Sequence, residues 1–567
     1  MKDKSLELIT ERLGPLPLIN HFIERLGIAP LLEHFVPTRN PRCRLDYDKG
    51  LGVLLRSIMT EREPIYRLGE VVQSFAAKEF ALTPAQAKNL KDDAVGRALD
   101  HLFDADRAAL LTEIVLKAQK AFMLSFDEVH NDSTTVKFAG RYPEAKGRSI
   151  RGKKGPYITY GFSKDHRPDL KQLLFILTAT SDGAVPIQFR CEAGHQNDSR
   201  THEQTWEALC QVAGRNNFLY VADSKLCNAE AMEYIDRRKG RFVTVLPKNR
   251  SEDKAFRQWI QDHQPVWEKI WDRENPRRKW GPRDRWYVLK YDLPSQEGWP
   301  IIWVYSTLLR RKQTQSRNDR ISRAKQELHD LAAQHLGPRP RKRARCEVYK
   351  QVQDILEPLH VKRYIQVHIK RIGQHHYTQT HRGRPGPTTR YVRKTRYRWQ
   401  ISWDVDEATI AYDHQSDGMY PLLTNDPSLT LKQVLEAHKR QPCIEKRFEQ
   451  AKTVLEIAPV LLKNEGRIEG LFFLYFIALL LDGLIEREIR LSMQHEKITD
   501  LPLYPEERAN AHPTTEQIFR LFSLIERHRL LDETGREIKV FDPTLSDLQK
   551  VVLRLLKIPG HVYTQHR

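Results

Sequence analysis

Residues 218–226 read FLYVADSKL, an apolar run that stops at Asp223. A short β-branched and aromatic run closed by a turn-forming aspartate predicts a buried strand. Downstream, NAEAMEYIDRRKG predicts a helix and RFVTVLP another strand. Upstream, a helix is expected from about Ser199 to Val212, with Asp198 as its cap and Gly214 as its stop. Before it lie the short β-branched or aromatic runs FMLSF, STTVKF, LLFILTAT and VPIQFRCE, the last two joined as a hairpin through Ser181, Asp182 and Gly183. From Phe122 the order is three strands, helix, strand, helix, strand, a mixed α/β core. Asp132 falls on its first strand and Asp223 at the carboxyl end of its fourth.

Outward from this core the period changes. In LINHFIERLGIAPLLEHF and LGVLLRSIMTER apolar residues recur at three and four, punctuated by Gly27 and Pro30, so helices are expected up to about Leu116. Such helices suit a small DNA-binding domain and a plain helical support equally. Between Lys248 and Thr430 lie Trp267, Trp271, Trp280 and Trp286, and strand-like WPIIWVYS and YRWQISWDV. This segment predicts a β-rich insertion with a helical arm near Arg320 to Leu336. Its arginines interleaved with Tyr391, Tyr397 and Trp399 fit phosphate contact with base stacking, or a basic hairpin whose aromatics are core. Helix returns with IEKRFEQAKTVLEI and LFFLYFIALLL. The expected organisation is a helical region 1–116, a first core part 117–248, a β-rich basic insertion 249–430, a second core part 431–495 and a helical region 496–567.

Length and composition bound the function. A chain of 567 residues, 40% of them hydrophobic, is enough for several packed domains. Its net charge of +20 is spread along the chain, with dense segments at RRKQTQSRNDRISR, GPRPRKRAR and HRGRPGPTTRYVRKTRYR, and points to a polyanionic partner. The six cysteines show no metal or disulfide spacing and read as reduced thiols, and the amino terminus carries no signal-like run, so a cytoplasmic protein is expected. The run Leu471 to Leu481 is shorter than the roughly 18–20 apolar residues of a membrane span, and Asp482 and Glu486 follow it; a buried core helix and no membrane are expected.

Phosphodiester cleavage by two divalent ions needs carboxylates converging from separate elements. Asp132 and Asp223 could meet at one sheet edge, and IEKRFEQAK supplies Glu445 on a helix, with Phe448 and Lys452 on the same face. Glu445 and Lys452 fit an exposed charge stripe as well. Asp127 and Glu128 are further carboxylates close to Asp132. In GFSKDHRPDLKQ, Lys164, His166 and Arg167 fit either a DNA contact or a surface loop. The strand and helix order is that of an RNase H-like domain.

These stretches together resemble the DDE transposases of bacterial insertion sequences. The resemblance is carried by HNDSTTVKFAGRY around Asp132, YGFSKDHRPDLKQLLFIL from Tyr160 to Leu177, FLYVADSKL, DGMYPLLTND, and IEKRFEQAK followed by RIEGLFFLYFIALLL. The subgroup resembled has a Tyr-x2-Arg-x3-Glu-x6-Lys signature and a β-rich insertion in an RNase H-like core. The resemblance implies metal-binding, catalytic roles for Asp132, Asp223 and Glu445, two Mg²⁺ ions (Mn²⁺ substituting), and a DNA-phosphate contact for Lys452. His438 stands at the signature's tyrosine and Gln441 at its arginine, with Arg440 one place earlier; His438 and Arg440 are the expected substitutes in contacting the strand. Terminal inverted repeats and target, as double-stranded DNA, are the implied partners, bound by a homodimer. A nuclease of the same fold that does not join strands, and a non-catalytic DNA-binding derivative, are the rival readings.

Overall fold

The computed structural model describes residues 6–196, 201–274, 281–337, 344–504 and 506–564. Asp198 and Ser199, Trp280 and most of GPRPRKRAR lie outside the described residues. The chain divides into two compact units: residues 1–244, 424–426 and 436–567 form one, residues 245–423 and 427–435 the other.

In the first unit, strand β1 (Glu7–Arg12) precedes seven helices: α1 (Leu16–Leu26), α2 (Ile28–Phe35), α3 (Tyr47–Thr60), α4 (Leu68–Ser74), α5 (Pro84–Lys88), α6 (Asp92–Asp104) and α7 (Arg107–Phe122). α1 buries Leu18, Ile19, Phe22 and Leu26 and stops at Gly27, whose φ of 61° costs a glycine nothing. The sheet strands that belong to this unit are β2 (Glu128–Phe138), β5 (Lys171–Thr180), β6 (Pro186–Ala193), β7 (Leu219–Ala222) and β8 (Arg241–Val245); the two-residue strands β3 (Ser149–Ile150) and β4 (Lys153–Lys154) form a separate small hairpin. Strand order is β6-β5-β2-β7-β8. β6, β5 and β2 are antiparallel neighbours, whereas β2, β7 and β8 run parallel. The intervening helices are α8 (His202–Ala213) and α9 (Ala229–Arg237), the latter capped by the Asn228 side chain.

The order read from 218–226 is therefore present, with one correction. FMLSF is not a strand: α7 runs through Phe122, Met123 caps it with a φ of 52°, and the first core strand begins at Glu128.

After the second unit come α14 (Leu431–Arg440), α15 (Pro442–Glu449), a π-turn (Gln450–Val454) and α16 (Glu465–His495). α16 is longer than its apolar run and passes the length and composition test for a membrane span, but most of that window is buried inside the protein. Phe472 meets Phe138 of β2 and Phe175 of β5 at 6.3 and 6.1 Å between ring centres, and Phe476 stacks on Phe189 of β6 at 4.9 Å. Each fully buried phenylalanine contributes roughly 1.5–3 kcal/mol, so these rings seat the helix across the sheet.

The expectation of purely helical end regions is corrected. β1 pairs with β15 (Glu526–Leu531), which pairs with β16 (Glu537–Phe541), alongside α17 (Thr515–Phe522) and α18 (Asp547–Leu555). The overlooked signal is the turn 532–536: the Asp532 carboxylate accepts from the backbone of Thr534 and Arg536, and Gly535 takes a φ of 76°.

The second unit holds β9 (Glu268–Arg273), β10 (Asp284–Tyr291), β11 (Ile301–Ser306) and β14 (Met419–Thr424) as successive antiparallel neighbours, a separate ribbon of β12 (Ile365–Gln379) with β13 (Tyr391–Val405), and helices α10 (Ser251–Asp262), α11 (Thr307–Leu336), α12 (Arg345–Leu356) and α13 (Glu407–Gln415). It is thus as helical as it is β. The helical arm begins at Thr307 rather than near Arg320, because the Ser306 side chain caps it and RRKQTQSRNDRISR is rich in helix formers.

Asp482, on α16, is fully buried beside Glu486; burial, then that neighbour's charge, raise its carboxyl to about 7. A carboxyl whose folded value lies above its unfolded one stabilises below the unfolded value and loses that stability as pH rises through the folded one. Asp482→Asn should therefore raise the thermal midpoint by a few degrees at pH 8, with the gain shrinking toward pH 4 in calorimetric scans.

Candidate active site

Register places the first two carboxylates. β2 and β7 are paired in parallel up to Asn131 opposite Ala222, so Asp132 and Asp223 are the next residues on neighbouring strands, at the carboxyl end of β7. Adjacent strands lie about 4.8 Å apart and partners in register project to the same face, which brings both side chains to one sheet edge. Asp132 is about one-fifth exposed and its Oδ1 accepts from the Ser133 backbone at 2.7 Å. Asp223 caps its own turn by accepting from Lys225 N at 2.9 Å, while the Thr244 hydroxyl donates to its carbonyl at 2.7 Å. Glu128 lies four residues back on β2 and Asp127 just before that strand, and both are engaged elsewhere: Asp127 with Arg215 and Ser125, Glu128 with His130 and Arg440.

Glu445 is carried by α15, which packs against β2 and β5. Pro442 opens this helix at a position where a missing N–H costs nothing, and Gln441 stands at its cap. The Gln441 amide donates to Asn131 O at 2.9 Å and its oxygen lies 2.9 Å from His130 Nδ1. At the other end, the buried Arg447 donates to Glu486 Oε2 at 2.9 Å, to Ala184 O at 2.8 Å and to Gly183 O at 3.0 Å. Glu445 sits between these anchors, one turn beyond the residue that touches the strand before Asp132, and is exposed. Phe448 is buried, so the face expected for Glu445, Phe448 and Lys452 is not uniformly solvent-facing.

The residues expected to meet DNA are distributed differently from that expectation. Lys164 turns inward: its Nζ donates to Ser133 O at 2.6 Å and Ser133 Oγ at 2.7 Å, and lies 3.7 Å from Asp132 Oδ1. Lys452 falls in the π-turn and bonds Asp165 Oδ1 at 2.8 Å, with Lys137 3.5 Å from the other oxygen. Burial would raise the Asp165 carboxyl, but these two ammonium groups outweigh it and hold it low. Arg167 is exposed and forked onto Asp169 at 2.8 and 2.7 Å. Burial, then the charges of Lys439 and His130, lower the His438 imidazole to about 3, so it is neutral near pH 7 and offers no cationic phosphate contact. Arg440 is forked onto Glu128 at 2.7 and 2.6 Å.

Sequence reasoning missed what these positions build together. Arg440, Glu128, His130 and Gln441 form one chain of hydrogen bonds that fastens the junction of α14 and α15 to β2, closed by His130 Nε2 at 2.9 Å from Glu128 Oε1. The signal was Pro442, which ends one helix and begins another and so reorients Gln441 toward the strand.

The donors assembled at this edge are carboxylate oxygens, the chemistry Mg²⁺ takes, and a cation, the Lys164 ammonium, already lies against Asp132. Among the described residues, no three His, Cys, Asp or Glu side chains stand close enough to hold one metal ion together.

A family described as a domain of unknown function, DUF4277, matches residues 8–116. The match covers the helical amino-terminal region, about a fifth of the chain. No curated protein matches. Among solved structures, the chain aligns with a piggyBac transposase in a synaptic complex with hairpin DNA, at 10% identity and a TM-score of 0.25. That alignment covers 53% of this chain and 63% of the other, less than two thirds of its length.

Burial would raise the Glu128 carboxyl, but bonds from His130 and Arg440 hold it at about 2. A depressed carboxyl stabilises above its unfolded value and loses that stability as pH falls through the folded one. Glu128→Gln should lower the thermal midpoint at pH 7, and the deficit should close between about pH 4.5 and 2, as followed by circular dichroism.

Proposed function

We propose that the chain is a DNA transposase whose Asp132, Asp223 and Glu445 hold two Mg²⁺ ions, or Mn²⁺, for strand cleavage at the element's terminal inverted repeats and for strand transfer. The observation that carries the reading is the register of Asp132 and Asp223 on adjacent parallel strands, with a helix bearing a third carboxylate pinned beside them. The stretch β6-β5-β2-β7-β8 within the sheet order supports reading an RNase H-like core, as does the entry of the second unit into the chain between β8 and α15, where the resembled transposases carry an insertion. The ions, when bound, activate the attacking oxygen and stabilise the leaving one.

The chain's own residues do the rest. Asp132 and Asp223 are fixed by their strands and need no rearrangement to face one site. Gln441 and Arg447 hold the backbone of α15 while leaving the Glu445 side chain free to swing to a cation. Lys164 neutralises Asp132 in the absence of metal and can release to a phosphate once a divalent ion takes that role. Lys452 and Lys137 present ammonium groups to Asp165, the residue after Lys164, with that carboxylate as an exchangeable counter-ion. Double-stranded DNA, gripped by a homodimer, is the partner this arrangement serves in the cytoplasm.

One observation favours a second reading, a non-catalytic DNA-binding protein: the Glu445 side chain is exposed. The two separate in a single assay on labelled DNA carrying the element's ends, with Mg²⁺ or Mn²⁺. On the catalytic reading the parent cuts and joins, while Asp132→Asn, Asp223→Asn and Glu445→Gln each lose at least a hundredfold in both reactions and still bind. A parent that binds the ends but never cuts them decides for the second reading; one that cuts but never joins is a nuclease.

Gln441→Ala should cost about tenfold in the cleavage rate at saturating DNA with little change in binding, and Gln441→Glu should make that rate pH-dependent. Single-turnover kinetics from pH 6 to 9 check both.

A further inference from the structure

The ribbon β12–β13 outgrows its core. Its fifteen registered pairs run from Ile365 opposite Val405 to Gln379 opposite Tyr391, roughly 50 Å at about 3.3 Å per residue. Only the base is packed: Ile365 and Ile401, with Val367, Ile369, Trp399 and Trp403, join Leu328 of α11 and Val348 and Val352 of α12 in one apolar cluster. Beyond the pair Ile372–Arg398, where the Arg398 guanidinium donates to Leu336 O at the end of α11, the described residues of both strands are largely exposed. An unsupported two-stranded hairpin is marginally stable in water, so a free distal half is a poor investment unless something covers it.

Its composition says what. Residues 370–398 contain nine lysines and arginines, three histidines and no aspartate or glutamate. Alternation sorts them onto two faces. The face that is core at the base continues outward as Arg371, Tyr377, Tyr391, Arg393 and Tyr397, and its three tyrosines are 63%, 50% and 60% exposed. The opposite face carries Lys370, Lys394 and Arg396, all exposed. The Arg371 guanidinium rests over the Tyr397 ring at 3.9 Å, a cation and an aromatic held together in water.

We propose that this distal half is a DNA-binding arm that lies in the major groove of a duplex, at a site separate from the carboxylate edge. A two-stranded ribbon fits the major groove, about 12 Å wide, and not the minor groove, about 6 Å wide. Cations on both faces match a groove that has a phosphate wall on either side, whereas a single strand offers one backbone. The exposed tyrosines point toward base edges and sugars, where a flat ring with a terminal hydroxyl makes apolar and polar contacts together. The inference stands on the ribbon's own charge and shape and needs no catalytic activity.

The test uses the full chain and a labelled 30-base-pair duplex of arbitrary sequence, read by fluorescence anisotropy from 50 to 300 mM salt. The triple variant Arg393→Ala/Lys394→Ala/Arg396→Ala should bind at least tenfold more weakly at 100 mM. Its log–log salt slope should fall by about 2–3, at roughly 0.9 per lost phosphate contact. Its thermal midpoint should stay that of the parent, since all three side chains are exposed. Tyr377→Ala/Tyr391→Ala/Tyr397→Ala should weaken binding with the slope unchanged. Run in EDTA, the assay reads binding whether or not the chain cleaves DNA, and a surface-cation control outside the ribbon, Lys550→Ala on α18, should leave both quantities unchanged. Parental affinity and slope in the triple variant would overturn the arm. So would tenfold tighter binding to a 30-nucleotide single strand than to the duplex, or a changed sedimentation coefficient with parental DNA affinity.

Discussion

The first unit turns on one buried ion pair. Arg447 and Glu486 are each almost wholly inaccessible, and the guanidinium also reaches the Gln450 side chain and the carbonyls of Gly183 and Ala184. One side chain thereby joins α15, α16 and the turn between β5 and β6. Breaking such a pair strands a buried charge and costs about 3–5 kcal/mol, whereas the pair itself is close to neutral against an apolar substitute. Its value is directional: it dictates where α15 lies relative to the sheet, and with it the backbone of Glu445. Gln441 does the same at the other end with neutral hydrogen bonds, worth about 1 kcal/mol each.

Between those anchors the helix has a fixed backbone and a free carboxylate. The two aspartates, by contrast, leave rigid strands and are already neighbours. On the metal-binding reading proposed above, a site with two preset carboxylates and one adjustable one avoids electrostatic repulsion before a cation binds, because three carboxylates crowded together without a cation would raise one another's protonation. Lys164 relieves what repulsion remains by lying 3.7 Å from Asp132.

The legible part of the sequence was the part encoded locally. Period-two runs ended by Asp223, and the hairpin at Gly183, are short-range patterns, and the strands and helices of 128–245 follow them closely. What was not legible is pairing. Nothing near Asn131 says that it lies opposite Ala222, and nothing near Arg440 says that its partner is Glu128, some three hundred residues earlier. Lys164, from its polar segment, and His438 and Arg440, from their places in the resembled signature, were expected at DNA. The fold instead turns Lys164 onto Ser133, neutralises His438 and pairs Arg440. The ribbon was only half visible: WQISWDV declared its packed base, while its reach depends on where α11 and α12 stop supporting it.

The pairing of β1 with β15 brings residues 7–12 against residues 526–531. Strand β1 must therefore wait on the ribosome, its edge unsatisfied, until the residues of β15, some five hundred positions later, have been synthesised. At 5–20 residues per second that interval is of the order of half a minute or more, long enough for an open edge to meet another nascent copy. The short length of β1 and its charged residues Glu7, Glu11 and Arg12 discourage such encounters. The same geometry means that the span matched by the family of unknown function, 8–116, is not a separable folding unit: cut there, it keeps one strand of a three-stranded sheet and loses the other two.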